Sequence, residues 1–186
     1  MSQITDFLGS TAGIQILELF IRDPGRDMYQ IEVINEIKET VNPKLSFLTA
    51  KKWLSFYVNY GLLVEQKRGK FIQYILNKDS PVVRQFKVLL NTAKILESIE
   101  GISLNDAEIY LFGSAARGED DKDSDIDLLI IGEADSAKLA EIKDAVMEKL
   151  GREVNLVFYT RAQYSDLYRD NRMFYENIER DKIRLL

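Results

Sequence analysis

The sequence predicts an α+β chain in two parts joined by a helix. The first part is a small helical domain ending in a hairpin, and the second an α/β domain with a mixed sheet. Three observations predict this. Apolar residues recur at helical spacing through the first sixty residues and then give way to two short strand-like runs. After residue 104, strand-like runs alternate with a helical pattern. Charge divides as well: residues 1–80 carry 10 basic and 9 acidic groups, residues 81–186 carry 15 and 21. The expected boundaries are residues 1–80, a linker helix over 81–103, and residues 104–186.

At 186 residues and 46% apolar content the chain can bury a sizeable core. The net charge of −5 excludes a global polycation field drawing it to nucleic acid. With no Cys and no His, disulfides, thiolate nucleophiles and Cys/His zinc sites are excluded, and catalysis falls to carboxylates, hydroxyls, Lys, Arg, backbone amides or a bound ion. Apolar runs such as Leu128 to Ile131 are far short of the roughly 20 residues a membrane span needs. The N-terminus lacks a signal-peptide layout, so a soluble, cytoplasmic chain without membrane partners is expected.

Residues 13–21 read as a short helix, ended by Asp23-Pro24-Gly25. Residues 28–39 place Ile31, Ile34 and Ile37 on one helical stripe, which Asn42-Pro43 breaks. A third helix, about Ser46 to Tyr60, has the inward stripe Phe47, Ala50, Leu54 and Tyr57 or Val58, with Gly61 as its stop. Strand-like runs Leu62–Lys67 and Phe71–Leu76 follow, joined by Arg68-Gly69-Lys70. Three helices and a basic-tipped hairpin make a winged helix-turn-helix. From Lys44 to Lys78 there are seven basic residues and one acid, Glu65, a confined polyanion-binding surface or a solvated lysine-rich face.

The run LTAKKWLSFYVNYGLLVEQKRGKFIQYILN resembles the recognition helix and wing of winged-helix transcription regulators, through Gly61-Leu62-Leu63, Arg68-Gly69-Lys70 and Tyr74-Ile75-Leu76. The resemblance covers roughly residues 12–78 and implies duplex DNA as partner. The third helix would lie in a major groove with Ser46, Thr49, Lys51, Lys52 and Ser55 outward, and Arg68 and Lys70 would reach phosphate. The alternative use of such a fold is protein contact.

Ser80 caps a helix beginning at Pro81. Val82, Phe86, Leu89, Ala93 and Leu96 follow at spacings of 4, 3, 4 and 3, a seam for a homodimer contact, a helix wedged between domains, or ordinary packing.

Ile109–Phe112 reads as a buried strand, broken at Gly113-Ser114 by a polar loop running to Ser124. A strand over Asp125–Ile131 follows, then a helix over Ser136–Leu150 with Leu139, Ile142 and Val146 inward and Gly151 as stop. Strand Glu153–Tyr159 closes a βαβ-like unit, Thr160 with Gln163 caps another helix, and Ile183–Leu186 adds an edge strand.

Asp125 and Asp127, two apart on a strand, turn both carboxylates to one face, where like charges repel unless a divalent cation holds them. Hard oxygen ligands suit Mg²⁺ or Mn²⁺. Gly113 and Ser114 can hold phosphate oxygens through free amides and the hydroxyl, and Arg117 can neutralise further charge. Phosphate grip beside an acid pair is a nucleotidyl-transfer arrangement.

Leu111-Phe112-Gly113-Ser114, a ten-residue spacer and Asp125-Ile126-Asp127-Leu128 strongly resemble the polymerase-beta-type nucleotidyltransferase superfamily. Ala116-Arg117-Gly118 and Ser124-Asp125 resemble its minimal branch, over roughly residues 104–160. The resemblance implies an NTP as ligand or substrate and extends nucleotide binding to Gly118 and Ser124. It also implies a third carboxylate on the next strand, where this chain has Asn155, an amide that carries no charge and cannot act as a base. Glu153, two residues earlier, lies on the same face and has the reach to substitute.

Two functions follow. One is a DNA-binding regulator whose second domain binds nucleotide with Mg²⁺ and transfers it weakly or not at all; Asn155 favours it. The other is an enzyme moving a nucleoside monophosphate to a hydroxyl on a protein, RNA or small molecule, as in antitoxin-type members that act on a toxin partner. A scaffold with neither activity would treat both motifs as relics.

Overall fold

The computed structural model describes residues 10–104 and 106–186, in two units, Met1–Val83 and Arg84–Leu186. The first nine residues, which bear on the expected lack of a signal peptide, lie outside the described residues. No described helix is long and apolar enough to cross a membrane.

In the first unit, the Ser10 hydroxyl accepts the Gly13 N–H at 3.1 Å and starts helix α1 (Thr11–Arg22), which buries Ile16, Leu17, Leu19 and Phe20. The expected second helix is a two-residue strand, β1 (Met28–Tyr29), followed by α2 (Gln30–Thr40). The Glu32 carboxylate accepts the Tyr29 N–H at 2.7 Å, which fixes that start. Val33, Ile34 and Ile37 face inward, whereas Ile31 is exposed. At about 100° per residue Ile31 lies about 120° around the helix from Ile37, so the stripe expected from the three isoleucines is out of phase.

Helix α3 (Phe47–Asn59) buries Ala50, Trp53, Leu54 and Tyr57. Phe47, its first residue, is exposed; Trp53 takes an inward place that the expected stripe does not include. Val58 is half-buried, so Tyr57 is the inward member of that pair, and its hydroxyl donates to the Gly13 carbonyl. A Cβ on Gly13 would stand 3.2 Å from the Trp53 ring, so α1 and α3 meet closely there. Strands β2 (Leu63–Arg68) and β3 (Phe71–Leu76) pair antiparallel with Arg68 opposite Phe71. The tip is therefore two residues, Gly69-Lys70, rather than three. β1 joins the other edge of β3, giving the order β1-β3-β2.

Helix α4 (Pro81–Ser98) carries the seam expected from sequence on its exposed side: Leu89 and Leu96 are accessible and Ile95 is buried instead. The rest of the second unit is β4 (Glu108–Phe112), a five-residue helix α5 (Gly113–Arg117) in place of the expected loop, β5 (Ile126–Ile131), α6 (Ser136–Leu150), β6 (Val154–Tyr159), α7 (Arg161–Asp170), α8 (Arg172–Asp181) and β7 (Ile183–Arg184). The sheet is mixed, in the order β6-β5-β4-β7, with β5 and β6 parallel and the other pairs antiparallel. Alternation along β5 sorts its two faces. Ile126, Leu128 and Ile130 join Ile95, Leu111, Ile142 and Val146 on one side. Leu129 and Ile131 join Tyr110, Phe112 and Ile178 on the other.

Candidate functional site

The end of β4 and the start of β5 lie side by side, with Phe112 opposite Asp127. The chain leaves β4 at Gly113, whose φ of 72° lies in the region that only glycine enters at little cost. A Cβ there would stand 2.2 Å from Asp127 Oδ2, so the carboxylate occupies the space a side chain would fill. Gly113, Ser114 and Asp127 are thus in one place, despite the spacer between them in sequence.

β5 begins at Ile126 rather than at the expected Asp125; Ile126 is fully buried, so Asp127 projects from the other side of the strand, and Asp125 stands exposed immediately before it. In the parallel register Asp127 stands opposite Asn155, whose Nδ2 donates to Asp127 Oδ1 at 3.0 Å. The position inferred for the third carboxylate is therefore beside Asp127 and holds an amide. Glu153 is exposed, and its backbone carbonyl accepts the Ile126 N–H at 2.9 Å. Asp125 and Glu153 line one surface cavity of about 360 Å³ together with Lys122, Ser124 and Arg152. Among the described residues no three His, Cys, Asp or Glu side chains group as a metal cage. Two hard carboxylates on one face, with an amide in third place, fit a single divalent cation better than a pair.

The other site residues expected from sequence are spread more widely. Arg117 Nε donates to Glu119 at 2.8 Å and Nη1 to Asp181 at 2.6 Å, and these hydrogen bonds push the guanidinium further up from its ordinary range. A phosphate would meet a guanidinium already paired. Gly118 ends α5 with φ 67°, and a Cβ there would stand 2.2 Å from the Arg84 carbonyl oxygen, so its position is set by close approach to α4. The Ser124 hydroxyl accepts from the Asp121 N–H and donates to Asp121 Oδ1, both at 2.9 Å, closing a turn just before Asp125. Three residues that the sequence does not single out, Lys87, Asp120 and Arg152, meet beneath this loop. Their one signal in the sequence is a lysine amid the apolar residues of α4.

In the first unit, the seven basic residues between Lys44 and Lys78 are all exposed. None is in an ion pair with a carboxylate among the described residues, whereas Arg22 and Arg26 both pair with Glu36. Lys51, Lys52 and Ser55 lie on the outer side of α3, with Lys52 Nζ 5.2 Å from the Trp53 ring centroid. Thr49 is half-buried, and Ser46 is the N-cap of α3, its hydroxyl accepting the Thr49 N–H at 3.1 Å. Arg68 ends β2 and Lys70 sits in the tip. Phe47 and Leu48, absent from the residues expected to face the groove, are exposed at the head of α3, Leu48 by 77%.

No curated protein matches the chain. A family model described as Nucleotidyltransferase domain matches residues 91–184, a span that contains the Gly-Ser turn, the acid pair and Asn155. That span is half of the chain, and the chain belongs to the nucleotidyltransferase-domain family.

Proposed function

We propose that the chain is a DNA-binding regulator whose second unit binds an NTP with Mg²⁺ and transfers nucleotide slowly or not at all. The observation that carries this reading is the hydrogen bond from Asn155 to Asp127, which supports Asn155 as the neutral residue at the position where the resemblance implies a third acid. Asp125 and Asp127 would hold the cation, with Mn²⁺ able to replace Mg²⁺, and the bound ion would neutralise triphosphate charge. Gly113 and Ser114 would bind phosphate through amides and hydroxyl beside the acid pair, and Arg117 would share its guanidinium with them. Asn155 can orient Asp127 but cannot take a proton from an acceptor hydroxyl. That loss falls on the transition state more than on nucleotide binding.

The basic face supports the regulator half of this reading. Winged helix-turn-helix geometry would lay α3 in a major groove, with Lys51, Lys52 and Thr49 toward base edges and phosphates. Arg68 and Lys70 would reach the DNA backbone, and Phe47 and Leu48 would suit thymine methyl groups. One observation favours the enzyme reading: Glu153 shares a cavity with Asp125, so its carboxylate is within the neighbourhood where a base would be needed. The acceptor would then be a hydroxyl of a protein, RNA or small molecule. Calorimetry of ATP binding with Mg²⁺ and with chelator tests the site. Metal-dependent binding, lost when Asp125 and Asp127 are both replaced by Asn, is expected; equal affinity in both conditions would remove the cation from the account.

A further inference from the structure

Asp120 lies midway along the loop from α5 to β5, yet it is only 4% exposed. A buried carboxylate needs compensating partners. Arg152 Nη1 donates to its Oδ2 at 2.7 Å and Asn91 Nδ2 donates to the same oxygen at 3.1 Å. Lys87, also buried, places Nζ 3.3 Å from Oδ1 and donates to the Asp120 backbone carbonyl. Oδ1 makes no hydrogen bond, so the lysine serves it through charge alone.

Arg152 does more than neutralise Asp120. Its Nε donates to the Ser124 carbonyl at 2.7 Å, and Nη2 reaches the Asp125 carbonyl at 3.4 Å. One planar guanidinium thus ties the buried middle of the loop to its end. The next residue completes the hold, since the Glu153 carbonyl accepts the Ile126 N–H. Asp125 is fixed on both sides by residues 152 and 153.

We propose that Arg152 is a positioning residue for Asp125: it sets the backbone from which that carboxylate reaches a divalent cation, and Asp120, itself anchored by Lys87 and Asn91, holds the guanidinium in place. This rests on the reading of Asp125 as a cation ligand. The sign of the charge separates positioning from electrostatics. A guanidinium beside a cation site repels the cation, so removing its charge would by itself tighten binding. Any benefit from Arg152 is therefore geometric, and it depends on a fork that Lys lacks.

The test measures Mn²⁺ binding alone, by electron paramagnetic resonance, to the full chain as wild type, Arg152→Lys and Arg152→Met. Exchange of the Ile126 amide is followed in the metal-free proteins. Both substitutions are expected to weaken Mn²⁺ by about tenfold, the usual effect of losing an outer-shell partner, and to speed Ile126 exchange. Should Arg152→Met fail to fold, Arg152→Lys keeps the charge beside Asp120 and decides the matter. Wild-type affinity in Arg152→Lys, or tighter binding in Arg152→Met, overturns the positioning role alone. A wild-type protein that binds no Mn²⁺ overturns the cation reading and this inference with it.

Discussion

Replacing Gly113 with Ala tests the geometry that joins the two motifs. The new methyl would stand 2.2 Å from Asp127 Oδ2 in a backbone with φ 72°. Left-handed backbone costs a non-glycine residue about 1–2 kcal/mol. The carboxylate must also swing away, which breaks its bond from Asn155; that bond is exposed and contributes about 1 kcal/mol at most. The expected loss is therefore about 2–3 kcal/mol in the unfolding of the second unit, followed by urea denaturation. An Asp127→Ala background separates the two contributions, because the clashing oxygen and its partner bond are already gone. There Gly113→Ala should cost only the backbone part, about 1–2 kcal/mol, leaving a coupling energy of about 1 kcal/mol. Equal costs in both backgrounds would refute the claim that Asp127 fills the space above Gly113.

Replacing Arg68 and Lys70 with Ala should weaken DNA binding on every sequence and lower the salt slope by about 1 for each phosphate no longer neutralised, read by fluorescence anisotropy across a salt series. Leu48→Ser should instead change sequence preference, seen by comparing affinities for duplexes that differ in thymine content. Tyr57→Phe removes the hydroxyl that donates to the Gly13 carbonyl and should cost about 1 kcal/mol in thermal unfolding of the first unit. Arg180, and then Arg117, hold the Asp181 carboxyl below its ordinary value near 3.8, against the opposing effect of burial. A carboxyl depressed in this way stabilises the fold above its unfolded pKa, and the stability is lost as pH falls through the folded value. Arg117→Gln should therefore lower the urea midpoint at pH 6 and shrink the further loss as pH falls below about 5 and through the depressed folded value.

Elements bounded by their own start and stop signals are legible in the sequence. Helix α6 spans the expected Ser136–Leu150 with Gly151 at its end, and Thr160 and Gln163 form the capping box expected for α7. The phase of a short helix is less legible. Ile31 and Val33 are both apolar, and only the surfaces packed against α2 decide which turns inward. Helix α5 escapes because five residues, two of them small alanines, show no apolar period. Near the site, Gly-Ser and the acid pair are legible from strand breaks and alternation, whereas Asn155 is legible only through the family resemblance, and the register that sets it opposite Asp127 comes from the structure. Asp120 is not legible. In a loop with acids at 119, 120, 121, 123 and 125, nothing local marks the one that Arg152, Asn91 and Lys87 bury.

Transfer of label from α-labelled NTP to protein or RNA acceptors, with pyrophosphate release followed in parallel, bears most directly on the central claim. The wild-type chain should bind NTP with Mg²⁺ yet transfer slowly or not at all, and Asn155→Asp should raise the rate by restoring a third charged ligand beside Asp127. Glu153→Ala should matter only if Glu153 serves as the base. Vigorous wild-type transfer, unchanged by Asn155→Asp, would contradict the regulator account and establish the chain as a working nucleotidyltransferase.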